Sequence, residues 1–103
     1  MKIIPEPITF DWDIWNQVKN LVKHQVENKE CEEVFLNEPL FIENDESHSL
    51  VEKRYKVLGL TKQNRLLMIV FTLRNDKIRV ISARDQSKKE KLQFNKLKND
   101  QEI

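Results

Sequence analysis

The run Leu66-Leu67-Met68-Ile69-Val70-Phe71 constrains this chain more than any other stretch. It is far shorter than the ~20 residues of a membrane span. Its unbroken apolar character suits a central strand covered on both faces. The flanking segments are strands of another kind. From Val51 to Leu60, Val51, Tyr55 and Val57 alternate with Glu52, Arg54 and Lys56. From Lys77 to Arg84, strict alternation places Ile78, Val80 and Ser82 on one face, with Arg79, Ile81 and Ala83 on the other. The connectors 61–64 and 74–76 have hairpin length, which predicts an antiparallel meander.

Helices are predicted on either side of this meander in the chain. Asp13 is a good N-cap. After it Ile14, Trp15, Val18, Leu21, Val22 and Val26 recur at helical spacing, while Asn16, Lys19, Asn20 and Lys23 stay polar. This predicts a helix over Ile14–His24 that turns its apolar stripe inward, with Trp12 and Trp15 in the core. A second helix is expected over Lys29–Phe35, with Cys31, Val34 and Phe35 inward. Ile8–Trp12 reads as a short strand. Residues 37–49 form an acidic loop, in which Leu40-Phe41-Ile42 is either a short strand or an anchor. Ser87 and Glu90 make a capping box; the last helix follows, with Leu92, Phe94 and Leu97 as its apolar face. Residues 1–7 and 99–103 are expected to be flexible ends. The whole is one α+β domain of 103 residues. An antiparallel meandering sheet carries an N-terminal helical pair and a C-terminal helix, all on one side.

Composition narrows the function. With 18 Lys and Arg against 17 Asp and Glu the net charge is +1, so any nucleic-acid contact must come from local clustering. The single glycine, Gly59, excludes glycine-rich phosphate loops. The lone cysteine, Cys31, cannot form an internal disulfide and reads as a buried hydrophobe in a reducing cytosol. No stretch is apolar enough for a signal peptide or membrane span, which predicts a cytoplasmic protein without a membrane partner. No histidine–carboxylate cluster has metal-ligand spacing, so neither metal nor cofactor is expected.

The residues that carry chemistry are suited to phosphate. His24 is a candidate proton shuttle, because imidazole as a side-chain type exchanges protons in the physiological range. Arg54, Arg79 and Arg84 are candidate catalytic clamps, because a guanidinium makes paired hydrogen bonds to phosphate oxygens. Lys23 adds a point charge. Glu52 acts as a base, or orients Arg54 across a shared strand face. Each also has a plainer role. His24 can simply close a helix end. Arg54 and Arg79 share a side of the sheet only if the register allows it. Arg84 can clamp an acid such as Asp13. His48 reads as an idle surface residue.

Taken together these residues resemble a known family, the BrnT toxins of bacterial type II toxin–antitoxin pairs. The matching positions are Phe10, Trp12-Asp13, Asn20, Lys23-His24, Val26 and Val34-Phe35, then Arg54, Gly59, Arg65-Leu66-Leu67 and Phe71. Arg79, Ile81-Ser82-Ala83-Arg84 and Glu90 complete the set. The resemblance implies a RelE-like fold, endoribonuclease activity that stops translation, RNA as substrate and a BrnA-like antitoxin as partner, with operator DNA touched only through that antitoxin. Lys23, Glu52 and Arg65 are then RNA-binding candidates. Three positions depart from the family pattern. Asn16 replaces a frequent lysine, Gln25 replaces a glycine and should stiffen the helix end, and Phe94 replaces a tyrosine. An alternative is a catalytically silent member that acts only by binding its antitoxin and repressing its own operon.

Overall fold

The central run becomes a central strand. The computed structural model describes residues 3–45 and 52–101; His48 and Val51 lie outside them. The elements are α1 (Ile14–His24), α2 (Asn28–Leu36), β1 (Phe41–Asn44), β2 (Tyr55–Leu60), β3 (Leu66–Arg74), β4 (Lys77–Asp85) and α3 (Lys88–Gln101). The sheet is antiparallel in the order β1-β2-β3-β4. This is the expected α+β meander with one addition. The segment read as strand or anchor is β1, which pairs Phe41–Asn44 with Tyr55–Leu58. The β3–β4 hairpin turns on Asn75 and Asp76, whose φ values of 51° and 62° give the backbone twist a two-residue connection requires.

The helices are not all on one side. On one face α2 buries Cys31, Val34 and Phe35 against Val57, Leu67, Ile69, Phe71, Ile78, Val80 and Ala83. On the other, α3 sets Phe94 against Leu58 and Met68. Both faces are covered because β3 is apolar on both, and a second layer is the only way to keep that surface from water. The Phe94 ring meets Phe41 edge-on, with centroids 5.5 Å apart. The position that departs from tyrosine is thus a packing anchor. Leu92, expected on the same apolar face, is exposed. The capping box forms as expected: Glu90 N–H donates to Ser87 Oγ, and Ser87 N–H donates to Glu90 Oε1.

Gly59 sets how closely α2 can approach. A Cβ built there would sit 2.7 Å from Val34 Cγ1 and 3.2 Å from Leu40 Cδ1. Gly59→Ala must push α2 off the sheet, and overpacking of this kind costs about 1–3 kcal/mol. A lowered urea midpoint with unchanged m is the expected readout.

Two further expectations are corrected. Residues 8–12 form no full strand. Thr9 and Asp11 flank a single parallel bridge, Phe10 to Ile78, along the outer edge of β4. And β4 does not alternate strictly. Val70 pairs with Ser82 but Phe71 pairs with Val80, so Ile81 is an extra residue in a bulge. The bulge moves Ala83 to the core face beside Ile78 and Val80.

Candidate functional site

The bulge decides where the arginines point. Arg79 and Arg84 are an odd number of residues apart and would face opposite ways in a regular strand. With Ile81 inserted, Arg79 lies opposite Thr72, Ser82 opposite Val70, and Arg84 opposite Met68. Thr72, Val70 and Met68 alternate on β3, so Arg79, Ser82 and Arg84 share the α3 face of the sheet. Lys56 lies opposite Val70 on the same face. Arg54, one residue before β2, falls there by alternation. Helix α3 covers only the Leu58–Met68 end. The rest of the face carries half-buried Arg54, Arg79 and Ser82 around buried Thr72, whose hydroxyl donates to the Lys53 carbonyl, beside the α3 margin where Arg84 and Lys56 lie.

Carboxylates orient these cations. Glu90 accepts from both terminal nitrogens of Arg84, at 2.8 and 3.1 Å, and from Lys56 at 3.2 Å. Burial by itself would raise the Glu90 pKa. The bonds from Arg84, the Ser87 amide and Lys56 outweigh it and hold the carboxyl down at about 2. Arg79 donates to Asp11 at 3.2 Å and to Asp13 at 2.5 Å. Asp13 serves twice. Its other oxygen accepts the Trp15 amide, which is the largest reason its pKa lies below the ordinary value. Arg84 therefore clamps Glu90, and it is Arg79 that takes Asp13. Glu52 is met by Arg74 at 3.4 Å.

Arg65 is a different kind of arginine. Nε and one terminal nitrogen hold Asp85; the other holds Glu30 at 3.0 Å and the Gln25 carbonyl; the His24 carbonyl takes the last bond. All of the ~5 guanidinium donors are committed, whereas the bonds of Arg79 above use only two. The Asp85 bond is the main reason the Arg65 pKa is raised and that of Asp85 lowered. The cleft beside Arg65, about 430 Å³, is lined by Glu27, Glu30 and Glu33 against Lys29 and Arg65, whose guanidinium is already committed to carboxylates. The acids outnumber the cations there, which does not favour a phosphate. Arg65 ties the C-terminus of α1 to the start of α2 and the end of β4. A larger hollow, about 720 Å³ between Ile8, Phe35 and Lys98, holds none of the candidate residues.

His24 is the last residue of α1, at the Arg65 end. Its charge is one of the influences that lower the Asp85 pKa. Asp85 lies opposite Leu67 on the core side of the sheet, not on the arginine face. At ~1.5 Å rise per residue, His24 is about 16 Å along the helix axis from Asp13, the partner of Arg79. The structure thus brings Arg54, Arg79 and Arg84 to one face and leaves His24 at the far end of α1. Lys23 is exposed beside it. Gln25, expected to stiffen this end, adopts the left-handed cap itself, with φ 56°.

Lys56 and Glu90 join the candidate face without having been predicted for it. The sequence shows Lys56 as an outward strand residue, and Glu90 as a cap and a family-matching position. Their alternation and cap positions were visible, but not the crossing of α3 that joins them. Cys31 is buried as expected. Burial, reinforced by Glu30 and Glu32, pushes its thiol up to about 12, so it is no nucleophile at neutral pH. Among the described residues no helix is long and apolar enough to cross a membrane, and no group of three or more His, Cys, Asp and Glu is placed to hold a metal.

No curated protein matches the chain. A family model does match, over residues 12–90, described as the ribonuclease toxin BrnT of a type II toxin–antitoxin system. That span runs from Trp12 on the approach to α1 through the co-facial arginines to Glu90, and by it the chain belongs to the BrnT family of ribonuclease toxins.

Proposed function

We propose that this chain is a metal-independent endoribonuclease that cuts RNA across the arginine face, stops translation and is neutralised by a cognate BrnA-like antitoxin, which alone contacts operator DNA. The observation that carries this reading is the bulge at Ile81, which gathers Arg79 and Arg84 on one face with Arg54. RNA cleavage through the 2′-oxygen builds charge on the phosphorus centre, and fixed guanidiniums meet that charge without reorganising. Asp11, Asp13 and Glu90 hold Arg79 and Arg84 in place before substrate arrives. Glu90 stays ionised at neutral pH and positions Arg84 and Lys56; it does not donate a proton.

Arg65 and His24 are assigned to the frame that anchors α1. Lys23, exposed beside His24, is set apart from the arginine face as well. The test is cleavage of a labelled RNA in EDTA by purified protein, wild type against His24→Ala. Undiminished cleavage in EDTA and a His24→Ala rate within about tenfold of wild type are expected, since proton transfer itself contributes ~10²–10⁴-fold. A larger loss would return His24 to the reacting centre. The silent-member reading has one observation in its favour: Arg79 and Arg84 are already ion-paired. Growth of a host expressing the folded chain alone would establish it.

A further inference from the structure

Helix α1 is amphipathic inside out. Its polar side faces the protein: Asn16 and Gln17 are half-buried, and Asn20 is 1 % exposed. Asn20 Oδ1 accepts the Ala83 N–H at 3.1 Å, a donor on the open edge of β4, and this latches the helix with its apolar side outward. Ile14 (71 % exposed), Trp15 (81 %), Val18 (50 %), Leu21 (50 %) and Val22 (76 %) form one stripe over about three turns. A contiguous apolar stripe of this kind on a small protein marks an interaction surface.

We propose that this stripe is the docking site for an amphipathic helix with acidic flanks, contributed by the antitoxin. The proposal rests on the toxin–antitoxin reading above and specifies where that partner sits. Charge selects the occupant. Helix α1 contains no carboxylate, and Lys19 and Lys23 line the edge beside Trp15 and Val22. A second copy of the chain is a poor fit. An antiparallel two-fold pair places Lys19 and Lys23 of both helices on the same edge, where like charges repel. RNA is a poor fit too. Ile14, Val18, Leu21 and Val22 offer neither stacking nor phosphate contacts, and Trp15 is the only stacking platform in the stripe. An acidic helix covers the apolar stripe and neutralises the lysine edge together.

The test uses the full chain and the protein encoded by the adjoining reading frame. Binding is measured by calorimetry, with growth rescue measured in parallel. Val18→Glu places a charge in the middle of the stripe at a half-exposed site, so the fold, checked by circular dichroism, should persist. Its affinity for that protein should fall about 100-fold while RNA cleavage in its absence is kept. Trp15→Ser, at a more exposed site, should repeat the loss. Lys19→Glu should weaken binding about tenfold and flatten its salt dependence. Leu92→Glu, an exposed apolar site on α3, should bind as wild type. Unchanged binding by both stripe variants overturns the proposal. So does loss of cleavage with binding intact, which would assign the stripe to RNA. A free wild-type dimer split by Val18→Glu overturns it in favour of a second copy. Absence of binding by the wild-type chain overturns the toxin–antitoxin reading itself.

Discussion

Replacing Arg79 with alanine is expected to lower RNA cleavage by at least about 100-fold, while Arg65→Ala leaves the chemistry intact in whatever fraction stays folded. Both are arginines with carboxylate partners, so sequence offers little to separate them. The difference is in their donors. Arg79 spends only two of its donors, on Asp11 and Asp13, and shares its face of the sheet with Arg84. Loss of one preorganised donor to developing charge typically costs ~10²–10³-fold. Arg65 spends its donors on Asp85, Glu30 and the carbonyls of His24 and Gln25. Its removal leaves two carboxylates and two carbonyls without their guanidinium at a partly exposed site, and the expected loss is about 1–2 kcal/mol of stability. Single-turnover cleavage and urea melts on the two variants separate the roles. An Arg79→Ala enzyme that cuts at the wild-type rate would remove the arginine face from the mechanism.

Glu90→Gln should destabilise the fold strongly, and its effect should fade in acid. The Glu90 carboxyl is held at about 2 in the folded protein, against 4.5 for the free side chain. A carboxylate whose pKa is lowered on folding adds stability that is complete above the unfolded value. That stability is lost as pH falls through the folded value. The shift corresponds to about 3 kcal/mol at neutral pH. Wild type and Glu90→Gln should therefore differ by roughly that amount from pH 7 down to about 5. Their stabilities should then converge between pH 4.5 and about 2. Asp13 and Asp85 are lowered in the same direction and account for the acid sensitivity that the Gln variant keeps. Parallel curves across this window would mean that Arg84 and Lys56 are not held by the ionised carboxylate.

Helix α1 separates what was legible from what was not. Its bounds follow from the Asp13 cap and the apolar period, and the structure gives the same Ile14–His24. Its orientation does not follow. A period of 3.6 residues locates a stripe but carries no instruction about which side meets the protein. The expectation that Trp15, Val18, Leu21 and Val22 turn inward fails because Asn20 satisfies the edge of β4, a bond between residues 63 apart in sequence. The candidate site shows the same division. Arg79 and Arg84 were singled out from their residue type, but strict alternation set them on opposite faces. One inserted residue, Ile81, reversed that.

Composition, periodicity and capping residues therefore determined the elements, their order, the α+β class and the residue types that could meet a phosphate. These are local properties, written within a few turns or one hairpin. Tertiary structure alone decided that helices cover both faces of the sheet and that α1 shows its apolar side to solvent. It also decided that Arg65 is a staple and that three other arginines share one face. Those outcomes depend on register, a bulge and side-chain bonds between distant segments, and such contacts exist only once the chain has closed on itself.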